Sequence, residues 1–423
     1  MNKLIAIPIT FMLSFSAYAK DFYIDPSKGF MLNPGTAEMP WKTLQEVVSN
    51  NLIQTKNKDG VVVNPNAPVK AGDTLKLRTG YHGNVYIRSA YNDSVINVVA
   101  DDGNLPVLSS LRIDSARNWL FNGLSISGSS ANPKITGGSI VLLGSSNYFG
   151  PLDSVQIMNC AIFTDEGMES IWTSSDWNAK SSNGVNIYPS ASNIIVRNNY
   201  IYNVSFGVMT GAINSVIEGN VISMFANDGI RVTGSNITAR DNVIANNIDA
   251  KNGNHDDGIQ SFGSPQNVNI SGNIVYVREY GNNILPETLQ GISMFDGPYS
   301  NFQIQNNLVN VDAWQGIALY DATSSSIQNN YILSSNPNTK GRVTLSTKST
   351  TGNNMFISIS NNFAQEYIFL KYDERNTSLM NNSTSVDKNT FDTMASNNIS
   401  RIDSIYGITP KRKYRLIFSS TQN

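Results

Sequence analysis

Only one cysteine, Cys160, and two histidines, His82 and His255, occur in the 423 residues. A single thiol excludes an internal disulfide, so stability has to come from packing and backbone hydrogen bonds. Charge is scarce too: Lys, Arg, Asp and Glu make up 15% of the chain and nearly cancel, leaving a formal net charge of −2. That balance creates no field that would select a nucleic acid. Apart from the first residues there is no long apolar run, which leaves no candidate for a membrane-spanning helix. The N-terminus itself, with Lys3, an apolar stretch over 4–15 and Ala17-Tyr18-Ala19, fits a secretory leader covering 1–19. Lys20 follows, not Cys, so no lipid anchor is expected. The expectation is an exported, soluble protein, periplasmic or extracellular.

Asn, Ser and Gly are plentiful, and they are periodic. An Asn followed by apolar residues recurs at Asn159, Asn199, Asn220, Asn242, Asn273, Asn307, Asn330 and Asn362. Between them a Gly precedes a mostly β-branched apolar residue at Gly184, Gly207, Gly229, Gly258, Gly291 and Gly316. The tightest spacings between ladder Asn residues are 21, 22 and 23 residues. A repeat this short, with one strand after each Gly and one after each Asn, predicts an all-β solenoid: a right-handed parallel β-helix. No coil buries its apolar face alone, and stacking at about 4.8 Å makes a continuous core. The Asn column is expected to tolerate the left-handed turn conformation and to hydrogen-bond along the stack. Such a solenoid is self-sufficient, and a monomer is expected.

The segment over 22–48 closes on an amphipathic stretch suited to a capping helix, and "AGDTLKLRTGYHGNVYI" over 71–87 begins the strands. Together they resemble the N-terminal region of the pectate-lyase-like superfamily of secreted β-helix proteins. The solenoid with its cap is expected over 20–375, and a polar cap or tail over 376–423, where the repeat fades. His82 reads as structural.

Insertions mark where a solenoid works. From each Gly to the next ladder Asn the count is steady, at 15, 13, 13, 15, 16 and 14 residues. From Asn to the next Gly it is 8, 9 and 9 after Asn199, Asn220 and Asn307, but 25, 16 and 18 after Asn159, Asn242 and Asn273. The three long loops leave one turn and would wall a groove along the Gly-led strands. By alternation, Ile230 and Val232, Ile259 and Ser261, Ile292 and Met294, Ile317 and Leu319 point inward. Asn186, Tyr188, Arg231, Thr233, Gln260, Phe262, Ser293, Phe295, Ala318 and Tyr320 then face out. Tyr188 and the column Phe262, Phe295, Tyr320 offer flat faces to sugar rings. The loops add Trp172, Trp177 and Tyr280, with Trp314 nearby.

Asp228 and Asp257 both precede the Gly in adjacent coils, which places their Cα atoms about 5 Å apart. Asp256 stands alongside, and His255 enters from a loop. Such carboxylates suit acid–base chemistry or a hard cation, and Asp228, Asp256 and Asp257 would be the ligands of a Ca2+. No cofactor is otherwise required. "NDGI" (227–230), "DDGI" (256–259) and "QGIS" (290–293) resemble the three motifs of polygalacturonase-type β-helix hydrolases. That resemblance implies acid and base roles for Asp228, Asp256 and Asp257. Gln290 stands where the family carries His, and the family's Arg-x-Lys motif has no clear counterpart. "HDD" (255–257) resembles the cluster of β-helix mannuronan epimerases and their lyase relatives, and the overall form resembles bacterial exopolysaccharide lyases of biofilm gene clusters. The foremost expectation is β-elimination on a uronate-containing polysaccharide. Arg231 and Gln260 would contact the carboxylate, His255 would be the base, and Tyr280 or Tyr320 the acid. Inverting hydrolysis, C5 epimerisation and non-catalytic glycan binding are the alternatives.

Overall fold

The computed structural model describes residues 19–168, 171–248, 250–251, 253–277, 288–348 and 354–407. The leader expected at 1–19 falls almost wholly outside them, as does Tyr280. The described chain winds into a parallel β-helix. Strands of one coil pair with those of the next in parallel, as Ile230–Val232 does with Asp256–Phe262, and Val243–Ala245 with Ile274–Tyr276. Each coil has three strands, not the two legible in the repeat. The extra one, such as Thr238–Arg240, lies between the Gly-led strand and the Asn. It is short, and its polar ends hide its alternation.

The side chains expected inside are there: Ile230, Val232, Ile259, Ser261, Ile292, Met294, Ile317 and Leu319 are all fully buried. The glycine column exists for space, not for an unusual backbone. A Cβ on Gly258 would stand 2.4 Å from Cγ1 of Val275, and one on Gly229 would stand 2.4 Å from Cγ2 of Ile244. Any side chain there would have to displace the core.

The Asn ladder runs through the buried corner from Asn199 to Asn382. Asn220 Nδ2 donates to Asn242 Oδ1 (2.9 Å) and to the Val196 carbonyl (2.9 Å), while its own Oδ1 accepts from Nδ2 and backbone N of Asn199. The same set repeats through Asn242, Asn273, Asn307, Asn330 and Asn362. The left-handed residue is the one before each ladder Asn: Asn198, Gly219, Asp241, Gly272, Asn306, Asn329 and Asn361. This corrects the expectation that the ladder Asn itself adopts that conformation. Asn159, with φ 53°, belongs to the left-handed set, and Cys160 occupies the ladder position of its coil, its N–H donating to Asn199 Oδ1.

At the N-terminus, helix α1 (Leu44–Ser49) is capped by Thr43, whose side chain accepts from Glu46 N, and buries Leu44 and Val47 against the open end. His82 is buried there, with Nε2 2.7 Å from the Arg78 carbonyl oxygen, and burial lowers its pKa. At the other end the coils run past residue 375, because Thr377–Met380 pairs with Ile357–Ser360 and Asn382 continues the ladder. The chain then turns back as an α-helix over Lys388–Tyr406, which buries Phe391, Ala395, Ile399 and Ile402 against Tyr200, Val243, Tyr276 and Tyr331. That helix covers the outer face of the strands after the Asn ladder. Among the described residues, no helix is long and apolar enough to cross a membrane.

Candidate functional site

The Gly-led strands stay uncovered by that C-terminal helix, and two of the loops expected beside them pack on each other. The first carries α2 (Ser174–Lys180), capped by a Thr173–Asp176 box. The second follows Asn246. They join through Trp177, Ala226, Ile248 and Ala250, and Asn178 Nδ2 donates to the Ala250 carbonyl at 2.7 Å. This corrects the role expected of Trp177, which is fully buried and glues the wall instead of meeting a ligand. Trp172 packs edge-on against it at 5.1 Å and is half-buried.

Because each glycine turns toward the core, the residue before it faces the groove. Asp228 and Asp257 therefore stack in adjacent coils, and the Asp257 N–H donates to Asp228 Oδ1 at 3.3 Å. Each reaches three residues along its own strand. Arg231 donates to Asp228 Oδ2 through Nε (2.7 Å) and Nη2 (2.6 Å), and Gln260 Nε2 donates to Asp257 Oδ2 at 3.1 Å. The next coil repeats the spacing without charge, Ser293 Oγ lying 3.5 Å from Gln290 Oε1. Gln290 pairs with Asp257 in register, so it occupies the stacked position where the hydrolase resemblance calls for His.

Both carboxylates are sealed, with Asp228 0% and Asp257 1% exposed. Burial pushes Asp228 up to about 6, against the pull of Arg231. Burial first, and then the charge of Asp228, raises Asp257 well above the ordinary carboxylate range. Two carboxylates this close in a dry site do not ionise together. Arg231 favours the charged form of Asp228, and burial beside that charge favours the protonated form of Asp257. Asp257 Oδ1 has no hydrogen-bond partner among the described residues.

What reaches solvent is the layer above. Arg231 lies between two rings, its guanidinium carbon 4.4 Å from the centroid of Phe206 and 5.5 Å from that of Phe262. Gln260 is partly exposed beside it, and Phe262 is exposed. His255 is exposed at the rim and makes no hydrogen bond or ion pair to another described residue. Asp256 lies apart from the pair's front, buried, with Asn247 Nδ2 donating to its Oδ2 at 3.0 Å. Among the described residues no group of three or more His, Cys, Asp and Glu is arranged to hold a metal ion. One oxygen of each aspartate is bound by a neighbouring side chain: Asp228 by Arg231, Asp256 by Asn247 and Asp257 by Gln260.

The aromatic column is broken. The register shifts between Ser261 and Phe262, so Phe262 pairs with Asp296 and not with Phe295. Phe295 and Tyr320 remain together, edge-to-face at 5.1 Å. A bulge of this kind leaves no mark in a sequence read by parity. Ser293 and Ala318, expected to face outward, are fully buried. Tyr188 is exposed, two coils before Arg231, and Trp314 is exposed over the Arg342 guanidinium at 5.2 Å. Phe206, which holds one side of Arg231, was missed. It precedes Gly207 just as Asp228 precedes Gly229, and that shared position was the available signal.

Residues 109–285 match the family described as a right-handed beta helix region. None of the curated proteins matches this chain in sequence. Among solved structures, a mannuronic-acid-specific polysaccharide family 6 lyase from human gut microbiota is 13% identical, over 95% of this chain and 99% of that one, with a TM-score of 0.54. A GH136 lacto-N-biosidase from Eubacterium ramulus is 13% identical over 86% of this chain and 67% of that one, with a TM-score of 0.55. The A-module of an Azotobacter vinelandii mannuronan C-5 epimerase is 14% identical over 73% and 84%, with a TM-score of 0.51. Likenesses at this level of identity concern the fold. Together with the stacked coils, they make this chain a right-handed parallel β-helix.

Proposed function

We propose that this chain is an exported polysaccharide lyase that cleaves a uronate-containing chain by β-elimination. One observation carries the reading: on adjacent coils, Arg231 and Gln260 are each held from beneath by a buried aspartate and offered to the groove. Coil spacing sets these donors about 5 Å apart, a reach suited to the two oxygens of one carboxylate. Neutralising that carboxylate acidifies the sugar's C5–H, because the charge that develops on deprotonation spreads into it. His255, exposed and unbonded, takes the C5 proton. The electron pair forms the C4=C5 bond, the C4–O4 bond breaks, and the departing oxygen takes a proton from solvent. Tyr320 stands two coils beyond Gln260, about 10 Å along the face, too far to serve as that acid. Asp228 and Asp257 are positioning residues in this reading.

Hydrolysis is the second reading, favoured by a protonated Asp257 beside an ionised Asp228. It asks both carboxylates to touch substrate, and both lie under Arg231 and Gln260. The two separate in one assay on polyuronates, following near-ultraviolet absorbance and reducing ends together. New ends with an unsaturated chromophore support elimination; new ends without it overturn it. His255→Ala should abolish turnover with the fold intact, and near-normal activity would remove His255 from the mechanism.

A further inference from the structure

We infer that the N-terminal end of the same face carries a second subsite for a carboxylate-bearing sugar, built on Arg88; it rests on the groove being a path for a polyuronate. Strand register makes the face continuous. Tyr86 pairs with Arg112, then Leu142, Asn186, Met209 and Arg231 follow in one column. Arg112 and Arg231 are therefore four coils apart, about 19 Å at the coil repeat. A coil repeat is close to the length of one sugar in an extended chain, so a bound polymer would pass both places in phase with the coils.

The two ends are built alike. Arg231 lies between Phe206 and Phe262; Arg88 lies between Tyr86 and Phe149, its guanidinium carbon 5.5 Å and 4.6 Å from the ring centroids. They differ in one respect. Arg231 is committed to Asp228, whereas no ion pair or side-chain hydrogen bond joins the Arg88 guanidinium to any described residue. The carboxylate nearest in register, Asp114, is already taken by Arg112 (2.8 Å) and by the Tyr86 hydroxyl (2.8 Å). Ring stacking uses the flat face of a guanidinium and leaves its edge N–H donors free, the edge that grips a carboxylate. Tyr86 beside it, Tyr148 packed on Phe149 and Tyr188 beside Gly144 are exposed, at 40%, 78% and 48%. A small cleft of about 70 Å³, bordered by Asn51, Thr55, Asn64 and Trp119, opens beside Arg88.

The test is electrophoresis of the full chain through gels containing polymannuronate or a neutral β-glucan, with Arg88→Ala and Tyr188→Ala beside the wild type. Arg88 is exposed, so a thermal melt should confirm that its variant folds. Polymannuronate should retard the wild type, and Arg88→Ala should weaken that retardation about tenfold, as loss of one charge-assisted contact implies. Neutral glucan should not discriminate between them. Equal retardation of the two proteins by polymannuronate, no retardation of either, or equal loss on the neutral polymer would overturn the subsite. Kinetics keep this apart from the lyase reading. Oligomers long enough to span both places should show a raised KM and an unchanged kcat in Arg88→Ala, and short ones should show neither change. Retardation that depends on Arg88 without any cleavage by the wild type would leave the subsite standing and remove the lyase.

Discussion

Two stacked columns of polar side chains run along this solenoid, and they follow opposite rules. Between the ends of the Asn ladder every member repeats its neighbour, and each amide nitrogen donates twice while each amide oxygen accepts twice. In the groove column the members change from coil to coil: Phe206, Asp228, Asp257, Gln290 and Gln315 occupy one position. There the stack sets two carboxylates together, leaves Asp257 Oδ1 without a hydrogen-bond partner among the described residues and shifts both acids upward. A neutral amide can serve its neighbours above and below alike, so it can repeat without limit. A carboxylate cannot, because its neighbour repels it. The repeating column holds the coil, and the irregular one is where chemistry is expected.

That contrast can be broken at four places. Arg231→Ala should lower kcat/KM on a cleaved polyuronate by about a thousandfold or more while the melting temperature barely moves, since the role is electrostatic and Asp228 can take up a proton. A loss of less than tenfold would detach the groove column from function. Asn242→Ala strands the amide of Asn220 and the buried N–H groups beside it, and should cost about 3 kcal/mol in denaturant unfolding, with the groove's kinetics unchanged at low temperature.

Asp257→Asn tests the acids by pH. A carboxyl whose pKa is raised on folding contributes stability that is complete below its unfolded value of 3.8 and is lost as pH climbs through the folded value. For Asp228 that window closes near 6, and for Asp257 its upper edge likewise lies well above 3.8. Wild-type stability should therefore fall from pH 4 upward. The Asn variant should lose part of that slope and gain about 1 kcal/mol at pH 8. A slope identical to wild type would mean that Asp257 ionises freely. The smallest effect is expected from Phe262→Leu, a two- to fivefold rise in KM with stability unchanged, because Arg231 keeps Phe206 as its second ring.

Repetition made most of the scaffold legible. Inward and outward positions of the Gly-led strands follow from alternation, and Arg231 and Gln260 were placed as coil neighbours by counting from Gly229 and Gly258. Counting failed where a local irregularity intervened. The shift after Ser261 moves Phe262 off Phe295, and the left-handed residue sits one place before each ladder Asn. Trp177 misled for another reason: a tryptophan on an inserted loop reads the same whether it faces a ligand or a second loop.

The sequence by itself determined the coil, because period, glycine spacing and the Asn column are local patterns repeated until only one architecture satisfies them all. The tertiary structure alone decided what each face is for. The C-terminal helix lies on one sheet because Phe391 finds Tyr276 and Tyr331 there, contacts between residues far apart in the chain. Likewise only stacking shows that Asp228 and Asp257 lie beneath Arg231 and Gln260 and not in front of them. Burial depends on everything that packs nearby, and no single stretch of sequence contains it.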